Sequence, residues 1–79
     1  MKLTSAISKR IKDICSEMNI TQYELFKRTG VPQSTISTII KGEISTIKLS
    51  TIYEICSGLN IEISDFFDTN DFKLENLDD

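Results

Sequence analysis

The tightest constraint on this chain lies between Thr21 and Pro32. Thr21 is followed three residues later by Glu24, the spacing of a capping box. The hydroxyl accepts from the third amide of a new helix, and the carboxylate reaches back to the amide of the cap. Ile20 before the cap and Leu25 at the fourth helical position are placed for a hydrophobic staple. A helix started this way runs over residues 22–29 and meets Gly30, which is free to take positive φ and stop it. Val31-Pro32 then restarts the chain, because proline opens a helix at no cost in hydrogen bonds. Two short helices joined by a tight turn are therefore forced on the middle of the chain.

Local propensity points elsewhere. Thirteen isoleucines, eight threonines and a valine are β-branched residues that favour strands. Their spacing decides against strands. Ile7, Ile11, Ile14 and Met18 recur at helical intervals, with Lys9, Arg10, Lys12, Asp13 and Glu17 off the stripe. This predicts a first helix over residues 5–18. Ile36, Ile39 and Ile40 put one face of a third helix inward, from residue 32 or 33 to 41, closed by Gly42. Ile52, Ile55, Cys56 and Leu59 define a fourth helix. Thr51 and Glu54 offer it a second capping box, although it can begin a turn earlier, and Gly58-Leu59-Asn60 ends it. Ile63, Phe66 and Phe67 mark a short fifth helix over residues 62–68. All three glycines are expected at helix ends. Residues 44–49 are too short for the hairpin of a winged variant. The expected fold class is all-α: a compact five-helix domain over residues 1–68, with residues 69–79 as an acidic C-terminal tail. Continued as helix, the tail would align Ile63, Phe66, Phe67, Asn70, Leu74 and Leu77 in a largely apolar stripe. Asp68-Thr69-Asn70-Asp71 reads instead as a break.

Composition narrows function mainly by what is missing. There is no histidine, which removes the commonest acid–base group and most catalytic zinc sites. Two distant cysteines, Cys15 and Cys56, make no zinc site and fit a reduced compartment as buried apolar residues. No phosphate-binding glycine loop occurs. We expect no enzyme, no metal and no cofactor. No apolar run approaches the roughly 18 residues of a membrane span, and no signal peptide is evident. A cytoplasmic protein is expected, with no membrane contact and no small-molecule effector domain. The net charge of −3 conceals an asymmetry. Residues 1–61 hold eight cationic against five anionic side chains, whereas residues 62–79 hold Lys73 against seven acids. A weakly basic body with an acidic end suits a protein that meets an anion with one face.

The paired helices form a helix-turn-helix candidate. Leu25, Gly30, Val31, Ile36 and Ile39 supply the frame; Gln33, Ser34, Thr35, Ser37 and Thr38 supply a polar outer face. At Ile7–Lys12, Thr21–Leu25, Thr29–Ser37, Lys41-Gly42 and Leu49–Ile61 the chain resembles the lambda-repressor-like, or Cro-repressor (XRE), helix-turn-helix family. The resemblance covers about residues 5–68. It implies a five-helix domain that binds double-stranded operator DNA, commonly as a homodimer, to regulate transcription, with repression the expected outcome.

In helix-turn-helix docking the start of the second helix enters the major groove. Gln33, Ser34, Thr35, Ser37 and Thr38 are thus the expected base contacts. Glutamine can bond adenine N6 and N7, and the hydroxyls and threonine methyls can meet other base edges. The resemblance places Gln22, at the start of the second helix, on a phosphate, and Arg10, Lys41 and Lys48 are the expected phosphate contacts around the groove. Phe26 stands where the family has a small residue, and Cys15 where it often has a basic one. The third helix has no cation before Lys41, which lowers the electrostatic part of binding. The competing readings are a protein-interaction module of the same fold, or an antitoxin whose acidic tail covers a basic partner.

Overall fold

The computed structural model describes residues 1–79. Five helices follow in order: α1 (Leu3–Met18), α2 (Gln22–Thr29), α3 (Gln33–Ile40), α4 (Leu49–Leu59) and α5 (Ile63–Phe66). Two single 3₁₀ turns, Asn70–Phe72 and Leu74–Asn76, come after them. There is no strand, and residues 44–49 form no hairpin. The inward stripes read from the sequence meet in one core. Ile7, Ile11 and Ile14 of α1, Leu25 of α2, Ile36 and Ile39 of α3, Ile52, Ile55, Cys56 and Leu59 of α4 and Phe66 of α5 are all buried, with Val31 of the turn among them.

The caps explain the helix ends. Thr21 and Glu24 form the capping box: the Glu24 amide donates to Thr21 Oγ1 at 3.1 Å and the Thr21 amide to Glu24 Oε1 at 3.3 Å. Asn19 and Asn60 end α1 and α4 in the left-handed conformation, at φ 55° and 57°. In each case the following isoleucine amide donates back to a cysteine carbonyl, Ile20 to Cys15 at 3.0 Å and Ile61 to Cys56 at 2.8 Å. This is a Schellman closure, and both isoleucines pack against the core.

Four expectations need correction. Helix α1 starts two residues earlier than its periodicity suggests, because the Asp79 carboxylate accepts from the Leu3 amide at 2.6 Å and caps it from the far end of the sequence. The Thr51–Glu54 box does not form. Helix α4 already begins at Leu49, and the Thr51 amide is bonded to the Lys48 carbonyl at 3.0 Å, leaving Glu54 nothing to cap. Helix α5 is only four residues long. The Arg10 guanidinium donates to the Phe66 carbonyl at 2.7 Å and, at 2.9 Å, to the Asp65 carbonyl, which also accepts from the Asp68 amide in a closing turn at 3.2 Å. Gly58 lies inside α4 rather than at its end. A Cβ there would stand 2.5 Å from the Arg28 carbonyl oxygen and 2.8 Å from Thr29 Cα. The glycine lets α4 approach the end of α2 closely.

The break after α5 is real, and residues 69–79 fold back onto α1. Phe72 joins Phe66 and Phe67 in an aromatic cluster, with its ring 4.9 Å from Phe67 and 6.2 Å from Phe66. Asp71 meets Lys9 at 2.9 Å, and Asp78 meets the Met1 amino group at 3.1 Å. The two cysteines are unbonded, Cys56 buried and Cys15 half-buried. Burial holds both thiols above the ordinary cysteine range. No helix is long and apolar enough to cross a membrane.

Candidate nucleic-acid interface

The turn between α2 and α3 sets the direction of α3. Gly30 adopts φ 75° with its amide bonded to the Phe26 carbonyl at 2.8 Å. That conformation costs a residue with a Cβ roughly 1 kcal/mol or more. The Thr29 hydroxyl then ties the turn down. It donates to the Leu25 carbonyl at 2.7 Å and accepts from the Val31 amide at 3.2 Å. Val31 is buried, and Pro32 caps α3 with its carbonyl accepting from the Ile36 amide at 3.0 Å. The amides of Gln33, Ser34 and Thr35 make no bond within the chain and face out from the start of α3.

With Ile36 and Ile39 anchored inward, the 100° step per residue fixes the rest. Ser34 and Lys41 lie opposite the buried pair, Ser37 and Thr38 beside them, and Gln33 and Thr35 at the two edges. Gln33, Ser34 and Lys41 are exposed; Thr35, Ser37 and Thr38 are half-buried. The Thr38 hydroxyl donates to the Ser34 carbonyl at 2.9 Å, leaving its methyl and lone pairs for an outside partner. Ser34, Ser37 and Thr38 thus share an outward surface that carries no carboxylate, with Gln33 and Thr35 at its two margins.

Around this surface the cations differ in availability. Lys41 caps the end of α3 and Lys48 the start of α4, both exposed and neither paired with a carboxylate. Lys48 and Thr35 border one open depression of about 340 Å³, floored by Ile39 and Ile47 and rimmed by Thr46 and Thr51. Gln22 is exposed at the start of α2, where its own amide and that of Tyr23 are unbonded. Arg10 is different. Besides its two bonds to α5 carbonyls, its guanidinium lies 5.8 Å from the Phe66 ring centre. It holds α5 against α1, and we withdraw it from the expected phosphate contacts. Phe26 fits by lying half-buried with its ring 6.0 Å from that of Tyr23.

Two positioning residues escape a reading by hydrophobic period. Thr29 shows its role only through its place in the last turn before a glycine, where a hydroxyl can bond the carbonyl four residues back. Gly58 sits beside the apolar stripe of its helix, where the missing Cβ leaves room for another backbone to approach.

The chain matches the family of Cro/C1-type HTH DNA-binding domains over residues 10–71. It is 40% identical over 58 residues to an uncharacterized HTH-type transcriptional regulator of Archaeoglobus fulgidus, covering 73% of this chain and 80% of that protein. No solved structure matches it.

Proposed function

The chain belongs to the Cro/C1-type helix-turn-helix DNA-binding family, and from that premise we propose how it works: α3 lies in the major groove of a duplex operator and the bound protein represses transcription. The relative of known class is a transcriptional regulator. The observation that carries the groove reading is the outer face of α3. It is polar, uncharged up to Lys41, free of carboxylates, and begins with three unbonded amides. Gln33 presents a donor and an acceptor together for adenine; Ser34, Thr35, Ser37 and Thr38 add hydroxyls and methyls. Gln22, Lys41 and Lys48 hold the phosphates on either side and set the register. Two copies at half-sites about 34–36 Å apart would read a two-fold-symmetric operator.

With so few cations at the groove, recognition rests on base edges more than on counterion release. Operator is first selected from random duplex DNA, and variants are then titrated on operator and on a scrambled duplex. Gln33→Ala should weaken operator binding by about ten- to a hundredfold, since a bidentate contact gives roughly 1–3 kcal/mol of discrimination. The scrambled duplex should respond little. Lys41→Ala should weaken both duplexes alike and flatten the slope of log K against log salt by about one. Equal loss on both duplexes for Gln33→Ala would show that Gln33 reads no base. No loss on either would take α3 out of the groove and leave its polar face for a protein partner.

A further inference from the structure

The acidic segment after α5 ends beside the loop that leaves α3. Phe72 anchors its middle in the aromatic cluster, and Asp71 ties it to Lys9. The Asp78 amide donates to the Met1 carbonyl at 3.2 Å, and Asp79 reaches the Leu3 amide. These ties fix Asp78 and Asp79 at the start of α1. There both border one wide hollow of about 560 Å³ with Lys2 and Thr4 on one side and Gly42, Ile44 and Ser45 on the other. The loop from Gly42 follows directly on Lys41, one of the proposed phosphate contacts. The two carboxylates are not equivalent. Asp78 is neutralised by the Met1 amino group. Asp79 meets only a backbone amide, with no cation paired to it.

We propose that Asp79 is a built-in electrostatic brake on duplex binding, a fixed carboxylate held by the folded acidic segment at the flank of the α3 exit loop. The inference rests on the reading of α3 as the groove helix. The carboxylate at the wall of this hollow flanks the loop that follows Lys41, and its repulsion of phosphates acts over about one Debye length, roughly 10 Å at 0.1 M salt. It repels every sequence equally. Base contacts from α3 are untouched, so the brake removes non-specific affinity and raises the ratio of specific to non-specific binding. It matters here because the groove face has few cations to set against it.

The test compares Asp79→Asn with Glu17→Gln on the scrambled duplex across a salt series. Asparagine keeps an oxygen that can cap α1 while losing the charge. Glu17 lies at the other end of α1, about 20 Å from Leu3 at 1.5 Å per residue, so its loss makes the same change of net charge away from the hollow. Asp79→Asn should raise affinity about threefold at low salt, with the gain vanishing in high salt as screening sets in. Glu17→Gln should stay close to the parent protein, and all three should melt alike. Equal gains from both variants would make the effect one of net charge and overturn the brake. An unchanged Asp79→Asn on a duplex the parent protein does bind would overturn it too, leaving the groove reading intact. Failure of all three folded proteins to bind any duplex would remove the groove reading and the brake with it.

Discussion

The two sides of this molecule are held together by different forces. Helices α2 and α3 are joined by buried isoleucine, leucine and valine and by the Thr29 hydroxyl, with no ion pair at all. Two of the three ion pairs, Met1–Asp78 and Lys9–Asp71, cross the seam between α1 and the acidic segment, and the third, Lys9–Asp13, lies within α1 beside it. The difference teaches where a small binding domain can spend its charges. Lysines paired to hold the frame would be lost to an anion outside. Here the frame of the reading unit is apolar and backbone-bonded, and Lys41 and Lys48 stay free. Lys9, on the other side, is fully committed. Its pKa is raised, chiefly by its bond to Asp71 and then by that to Asp13.

The largest expected effect tests the apolar side. Gly58→Ala puts a carbon 2.5 Å from the Arg28 carbonyl and against Thr29 Cα, both backbone atoms that cannot swing aside. Overpacking of this kind costs about 1–3 kcal/mol or more, and a fall in melting temperature of roughly 10 °C is expected for a domain of this size. The fall should be the same at low and high salt, as calorimetry in both would show. Second comes Thr29→Val, which keeps the shape of the side chain and orphans the Val31 amide. A loss of about 1–2 kcal/mol is expected, again insensitive to salt, with weaker duplex binding because α3 loses its fixed direction. Any marked salt dependence in either variant would break the contrast between the two sides.

The smallest effect belongs to the seam. Asp71→Asn should lower the melting temperature only slightly, since exposed pairs contribute little, and high salt should erase the difference from the parent protein. The pH dependence has a definite sign. A raised lysine pKa means that the stabilisation is complete below the ordinary lysine value and disappears as pH climbs through the raised one. Alkaline titration of the parent protein should therefore close the gap with Asp71→Asn from above.

Much of the reading unit was legible because its signals are local. Thr21, Glu24, Gly30 and the Ile36–Ile39 interval each act within one or two turns, and each does in the structure what its position implies. The polar face of α3 followed once the inward pair was known. Other features depend on partners distant in sequence. The first turn of α1 needs Asp79, and the short α5 needs Arg10. Arg10 looks like any surface cation until Phe66 and its carbonyl are folded against it. Thr51 and Glu54 have the same spacing as Thr21 and Glu24, yet only one pair caps a helix. Whether a box forms depends on the chain before it being extended, and Leu49-Ser50 is already helical.

The bond from Asp79 to Leu3 joins residues 76 apart in sequence, and the Lys9–Asp71 bond joins residues 62 apart. Contacts of such span return little until nearly all intervening chain is ordered, because closing the loop costs entropy before any contact compensates for it. The α2–α3 unit, built from neighbours within a few turns, can take shape first. The seam is then the last part to close and the first to open. Asp71→Asn should therefore refold at the rate of the parent protein and unfold faster. Opening at the seam releases Asp79 from its place beside the α3 loop while α2 and α3 remain assembled.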